Sequence, residues 1–256
     1  MKHNIPKVKF EVAPLDSIFH VIHHFLNPQK KQWDWSSAIY NAYPDLSSRI
    51  SGIKDKKKRR EAEYAFFRET YEKEMPLLEK QRDEYQSEWD RISDKVMDVF
   101  TEVIEQEWPD KDTVMHARVS LNPICPRFIK TRTFDVYYKQ DSNRMKATAI
   151  HELLHFIYFE KWKSIFPETK PREFDSPYLV WHLSEMVPRV ILNDKRFQDI
   201  FQHEHGSYKV YEKATIEGKP LLSYLQGFYD QRTNFEDFLR KSWQFVQSHK
   251  KEIKAL

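Results

Sequence analysis

Two histidines and a glutamate near the middle of the chain have the types and spacing of a metal site with an adjacent base. They lie in the run His151-Glu152-Leu153-Leu154-His155. At about 100° per residue of helix, His151 and His155 are about 40° apart on one face, so both imidazoles can bind one ion. Glu152 projects away from that pair and can act as a general base on water. The pattern predicts a zinc site with His151 and His155 as ligands and Glu152 as the catalytic base.

The residues around this run predict a buried helix. Asp141-Ser142-Asn143 offers N-cap side chains, residues 144–166 contain neither Pro nor Gly, and Pro167 follows. Apolar residues surround the predicted helix on most sides, which is typical of a buried helix. Polar side chains in such a helix need a partner. A metal ion would be one; the alternative is a pair of core histidines bonded to backbone carbonyls, with Glu152 in an ion pair.

A catalytic zinc usually has three protein ligands, so a third must come from elsewhere in the chain. Glu185 is the best candidate, because it interrupts a mostly apolar run in a second helix that we expect to begin at Ser176-Pro177. The alternative places Glu185 on the solvated face of an amphipathic helix. Five other acids follow the motif. Glu160 lies on the motif helix itself, and Asp194 lies farther along the chain. The other three are in a Pro-rich stretch that favours a loop: Glu168, Glu173 and Asp175.

With these residues the chain resembles the zincin metallopeptidases, and among them the gluzincins. The resemblance covers roughly residues 115–195 and departs from the metzincin form, since Tyr158 and Lys161 stand where its glycine and third histidine would be. It implies peptide-bond hydrolysis at Zn²⁺ held by His151, His155 and Glu185. Many gluzincins also place an acid about one turn after the glutamate ligand, where this chain has Pro188 and Arg189.

Gluzincins often stabilise the developing oxyanion with a tyrosine or histidine from later in the chain. The sequence leaves six candidates open: Tyr158, His182, His203, His205, Tyr208 and Tyr211. Residues 131–138 alternate and are rich in β-formers, which predicts a strand. In zincins such a strand often forms the sheet edge along which the peptide substrate lies. The alternative is an ordinary strand without a substrate role.

The composition favours a predominantly helical α+β protein, with only 4 Gly against 15% aromatic and 32% charged residues. We expect a helical N-terminal region over residues 1–112, and a zincin-like core with closing C-terminal helices over 113–256, packed as one compact unit. A small sheet should precede the motif helix. Residues 54–107 are helical in composition, with an interruption expected near Pro76.

Composition also bears on partners and location. A single cysteine, Cys125, excludes an intrachain disulfide and a cysteine zinc cluster. Residues 1–6 lack an apolar signal core, and no long apolar stretch exists, so we expect a cytoplasmic protein without a membrane partner. The basic run Lys54–Arg60 favours a helix surface over a nucleic-acid site, because the formal charge is only +3 and acids follow closely.

The predicted partner is therefore a peptide or protein substrate. Two alternatives to a zinc peptidase stay open. One is a catalytically inactive zincin-fold module with a binding or regulatory role. The other is a nucleic-acid binder that acts through the basic run and shows strongly salt-dependent binding.

Overall fold

The computed structural model describes residues 5–27, 34–109 and 114–256. It is 64% helical with a small mixed sheet of four strands, which confirms the predominantly helical α+β class. The described chain divides into two compact units, each built from separate stretches. The first unit contains residues 5–6, 92–109 and 150–256, and the second contains 7–27, 34–91 and 114–149. The boundary predicted between 112 and 113 lies outside the described residues, as do residues 1–4, and that boundary stays a prediction.

The second unit contains the sheet, whose order is β1-β2-β4-β3. Strands β1, β2 and β4 are parallel, and β3 runs antiparallel to β4. Phe10, Ala117 and Phe134 lie in register across the three parallel strands, and all three are buried. The four strands are β1 (Lys7–Val12), β2 (Val114–Ser120), β3 (Arg127–Phe128) and β4 (Thr133–Tyr137).

β4 is the strand predicted over 131–138, but it is not an open edge. β2 pairs with one side of it, and β3 pairs with the other side at Thr133 and Phe134. Beyond β3, the Asp135 N–H donates to the Pro126 carbonyl (2.9 Å). The edge expected to receive an extended peptide is therefore occupied along Thr133–Asp135 by the chain's own residues.

The longest helix of the second unit continues through Pro76. The interruption expected there is wrong: the helix ends at Asp90, and the next begins at Ser93. Phe67 before Pro76 and Leu78 after it are both fully buried, so packing on each side offsets the backbone hydrogen bond that proline removes. The helices of this unit are α1 (Leu15–Leu26), α2 (Ser36–Ala42), α3 (Pro44–Ile50) and α4 (Lys56–Asp90).

The helices of the first unit surround the predicted metal-binding segment. Helix α6 confirms the predicted motif helix, and the Asp141 carboxylate caps it by accepting from the Arg144 N–H (2.8 Å). The remaining elements are α5 (Ser93–Ile104), α6 (Ser142–Ile165, within the first unit from Ile150 onward), α7 (Leu179–Met186), α8 (Pro188–Ile191), α9 (Lys195–Gln198), α10 (Lys209–Lys213), β5 (Thr215–Ile216), β6 (Lys219–Pro220), α11 (Leu221–Asp230), α12 (Phe235–Ser248) and α13 (Lys250–Ala255).

Helix α7 differs from its prediction in where it begins and in what surrounds it. A turn closed by the Tyr178 N–H on the Asp175 carbonyl (3.2 Å) precedes it, so the helix begins at Leu179 rather than at Ser176. Every residue from Val180 to Met186 is buried, and α12 and α13 contact this helix. The closing C-terminal helices thus pack on α7. In the described ranges no helix has both the length and the apolar character needed to cross a bilayer.

Candidate metal centre

The structure brings His151, His155 and Glu185 together in the first unit. The Nε2 atoms of the two histidines are 3.1 Å apart, and each is 3.8 Å from Oε2 of Glu185. These atoms are the one group of three or more histidine, cysteine or acidic ligand atoms found together in the described residues. The ligand set predicted from sequence is thus assembled, including the distant carboxylate.

The triangle formed by these three atoms has the size that a metal ion requires. A point equidistant from all three lies about 2.1 Å from each, and bonds from a metal to imidazole or carboxylate are about 2.0–2.2 Å long. An ion of that size can therefore contact all three atoms without rearrangement of the two helices. Three ligands also leave coordination positions open for water or substrate.

The three candidate ligands differ in how deeply they are buried, so the site has one accessible side. His155 is fully buried and Glu185 is 3% exposed, whereas the His151 side chain is 28% exposed. The Phe159 ring, one turn after His155, stacks on its imidazole with centroids 5.9 Å apart. Water and substrate can therefore approach an ion from the His151 side, while aromatic packing closes the other.

Glu152 is adjacent to the ligands but is not one of them. Its side chain lies outside the group of three, and the residue is 7% exposed. On the helix it is about 60° from His155 and about 100° from His151. These angles place Glu152 next to the face of α6 that carries the two histidines, a position from which a carboxylate could act as a general base.

A buried histidine and tyrosine lie behind Glu185. His182 Nδ1 and the Tyr211 hydroxyl form a hydrogen bond of 2.8 Å, and His182 is fully buried. Burial lowers the pKa of His182 to about 4, against an opposing effect of the Glu185 charge. Burial and the Glu185 charge together raise the pKa of Tyr211 well above its usual range. His182 is therefore neutral near pH 7, and its hydrogen bond to Tyr211 lies close to Glu185.

The loop around His205 is held against the His151 side of the site. The Asn193 side chain accepts from the His205 N–H (3.0 Å) and donates to the His205 carbonyl (2.9 Å), so both backbone groups of this residue are fixed. His205 is 7% exposed, and burial, reinforced by the positive charge of His151, lowers its pKa to about 3. The loop is therefore fixed at this residue and buries the His205 side chain.

Two other candidates from the sequence lie outside the ligand group. Asp194 caps α9, where its carboxylate binds Arg196 (2.9 Å) and accepts from the Tyr229 hydroxyl (2.7 Å). The Tyr158 side chain is fully buried in α6, and its hydroxyl has no hydrogen-bond partner within the described part of the chain. Burial raises its pKa well above the usual range.

Two acids closer to the motif, Glu160 and Glu173, have other partners in the protein. Glu160 pairs with Lys163 (3.1 Å) on the motif helix. Glu173 accepts from the Lys170 N–H (2.8 Å) and caps a 3₁₀ turn over Pro171–Phe174. Arg189, in the region where many gluzincins have an acid, instead donates to Glu204 (3.2 Å).

A histidine of the N-terminal helices has an acidic partner that the sequence did not indicate. His23 Nδ1 is 2.6 Å from Oε2 of Glu63, a fully buried carboxylate that also accepts from Arg59 (3.2 Å). The neighbouring His20 and His24 are exposed. Glu63 is 40 positions away from His23, so only the packing of α1 on α4 brings them together.

Comparison of the chain with family models, with curated proteins and with solved structures gives no match.

Proposed function

We propose that the protein is a zinc-dependent metallopeptidase of the gluzincin type, with His151, His155 and Glu185 as the metal ligands and Glu152 as the general base. The observation that carries the proposal is the triangle of two imidazole nitrogens and one carboxylate oxygen with Glu152 beside it. A structural metal site does not need an additional buried acid at that position.

The donor set favours zinc among the biological cations. Imidazole ligands suit zinc and other late transition metals, whereas calcium and magnesium prefer sites built only from oxygen. Two histidines and one carboxylate with open positions form one of the established catalytic zinc sites. Zinc bound there would supply Lewis-acid chemistry, polarising a carbonyl and lowering the pKa of a water.

The protein's own residues would perform the proton transfers and exclude solvent. Glu152 would accept a proton from the attacking water and return it to the leaving amine. The exposed edge of His151 would face the substrate, while Phe159 and the fully buried His155 keep water from the opposite side. Low exposure strengthens electrostatic interactions at the reacting atoms.

His205 is the donor that we propose for the oxyanion. Its backbone is held at both polar groups by Asn193, and it lies near His151. A donor fixed before substrate arrives needs no reorganisation during the reaction. Tyr158 and His182 are disfavoured because both are fully buried.

The decisive experiment compares Glu152→Gln with Glu160→Gln in zinc content and peptide hydrolysis. Both variants replace one carboxylate of α6 by an amide, but Glu160 pairs with Lys163 and is not part of the ligand group. We expect about one zinc per chain in wild type and in both variants. Hydrolysis of a mixed peptide library should be lost in Glu152→Gln, by a factor of at least about 100, and retained in Glu160→Gln.

Two results would contradict the proposal in different ways. Zinc at one per chain with no hydrolysis by wild type, over a library containing free and blocked peptide ends, would favour an inactive binding module. Absence of zinc after purification in metal-replete buffer would reject the metal centre itself.

A further inference from the structure

The second unit contains a cleft between α1 and α4 that the metal centre does not use. Its volume is about 670 Å³, which is within the usual range for a small-molecule site. Asp16, Phe19 and His20 form the α1 wall, and one face of α4 forms the other. We refer to this space as the α1–α4 cleft.

The α4 wall carries three cations at helical spacing. Lys57, Arg60 and Arg68 line the cleft and are exposed. In the ranges that the structure describes, none of the three forms an ion pair, whereas the adjacent Arg59 binds Glu63 (3.2 Å). Cations without a carboxylate partner are available to an anion from solution. A guanidinium group binds phosphate through several directed hydrogen bonds.

An ordered aromatic pair lies between these cations. The Phe19 and Tyr64 rings meet edge to face with centroids 5.0 Å apart, and the Arg60 guanidinium is 5.9 Å from the Phe19 centroid. The Tyr64 hydroxyl donates to the Asp16 carboxylate (3.1 Å), which fixes the orientation of the ring. Tyr64 is half-buried, so part of the ring is accessible to a flat ligand.

A smaller depression of about 310 Å³ shares Asp16 and His20 with the cleft and extends it towards the sheet. Arg118 lines this extension. Two nitrogens of its guanidinium contact Oδ1 of the fully buried Asp135, at 2.8 and 2.7 Å. Its charge also lies 4.5 Å from the centroid of the Phe128 ring. Because these contacts hold the side chain in place, Arg118 loses little side-chain entropy on binding a ligand.

We propose that the α1–α4 cleft binds a nucleoside phosphate. The phosphate groups contact Lys57, Arg60 and Arg68, and the base contacts the accessible part of Tyr64. The carboxylates of Asp16 and Glu61, which also line the cleft, accept hydrogen bonds from sugar hydroxyls or from an exocyclic amine. The size, the unpaired cations and the aromatic pair all fit this class of ligand.

The same acids disfavour a long polyanion. Asp16 and Glu61 line the cleft together with the cations, so a chain of closely spaced phosphates would also meet these two negative charges. A ligand with phosphate at one end and neutral polar groups at the other avoids this repulsion. Lys57 and Arg60, the two residues of the basic run that line the cleft, therefore fit a small phosphorylated molecule better than a nucleic acid.

The test is calorimetric titration of the full chain with ADP, and with pyrophosphate, adenosine and a single-stranded RNA 12-mer as comparison probes. The cleft variant is Arg60→Gln with Arg68→Gln. The matched control is Lys80→Gln with Arg82→Gln, which removes two cations from the same helix outside the cleft. Arg60, Arg68 and Lys80 are exposed and Arg82 is half-buried, so the melting temperatures of both double variants should stay close to that of wild type.

We expect saturable ADP binding by wild type and by the control, weakened at least about tenfold in the cleft variant. Pyrophosphate and adenosine should each bind more weakly than ADP, because each makes only part of the contacts. Absence of saturable ADP binding, or equal weakening in both double variants, would overturn the proposal. Binding of the RNA 12-mer more tightly than ADP would also overturn it, in favour of a nucleic-acid surface.

Discussion

At the residue scale, Glu185 is the proposed ligand on which the proposed metal centre most depends. It is 3% exposed, and its Oε2 atom is 3.8 Å from both histidine nitrogens, so it supplies the one negative charge of the triangle. Glu185→Gln keeps the shape of the side chain and removes that charge. Loss of a residue that only orients a ligand weakens metal binding by about 10–100-fold. We therefore expect Glu185→Gln to lower zinc affinity by more than about 100-fold.

Competition with a chromophoric chelator measures this loss. Glu204→Gln is the matched control, because the Glu204 side chain is 81% exposed and binds Arg189. An affinity of the Glu185 variant equal to that of the control would remove Glu185 from the ligand set.

How well each part of the site can be predicted depends on how far apart the interacting residues are in sequence. His151 and His155 could be identified from spacing alone, since one helical turn brings them together whatever surrounds the helix. Glu185 required an inference from its apolar neighbours, and its burial excludes the solvated-face alternative. The contact of His182 with Tyr211 spans 29 positions and depends on packing, which no local pattern specifies.

At the element scale, packing overrides two local rules. Pro76 predicts a break in α4, but buried residues on both sides keep the helix continuous to Asp90. Ser176 and Pro177 have the types of a cap and first turn, yet the chain forms a turn there and α7 begins at Leu179. In α6 the cap, the apolar pattern and the terminating proline all agree, and its bounds were predicted to within about two residues.

The Asn193 side chain is one of the groups that hold the loop carrying His205 in place. Asn193 bonds both backbone groups of His205 and donates to the Arg189 carbonyl (2.6 Å). Asn193→Ala removes these three bonds and a longer fourth one from the Gln198 side-chain amide (3.5 Å). Each buried group left without a partner costs about 1–3 kcal/mol. We expect faster hydrogen exchange at the His205 amide, a lower kcat and unchanged zinc content.

The control for this loop is Asn234→Ala. Asn234 caps α12 by accepting from the Asp237 N–H, so its loss also removes a backbone-directed bond but leaves the His205 loop intact. If both variants lowered kcat equally, or if neither did, the proposed positioning role of the loop would be wrong.

At the scale of the whole molecule, several buried titratable groups make folding depend on pH. Burial lowers the pKa of His182 to about 4 and that of His205 to about 3. Burial acts in the other direction on Asp135, raising its pKa to about 6 although Arg118 opposes the shift. For Asp194 burial is outweighed by hydrogen bonds from Arg196 and Tyr229, which hold the pKa well below its usual range.

These shifts predict a net loss of stability on acidification from about pH 6.5 to pH 4. Below pH 6.5 the unfolded chain protonates both histidines while the folded chain does not, so each lowers the free energy of unfolding by up to about 1.4 kcal/mol per pH unit. Between pH 6 and 4 the Asp135 carboxyl raises the free energy of unfolding, because it binds its proton at a higher pH in the folded chain than in the unfolded chain. The loss of stability from the two histidines exceeds the gain from Asp135, so the free energy of unfolding falls overall. Protonation of Asp194 lowers it further as pH falls below about 4.

Urea unfolding at successive pH values, with a chelator present so that metal release does not contribute, measures this dependence. Asp135→Asn removes the opposing contribution and should steepen the loss of stability between pH 6 and 4. His24→Gln is the control, because His24 is exposed and water solvates its side chain in both states. A free energy of unfolding that stays constant or rises from pH 6.5 to 4 in wild type would contradict the burial of neutral His182 and His205. A decline with the same slope in Asp135→Asn as in wild type would contradict the raised pKa of Asp135.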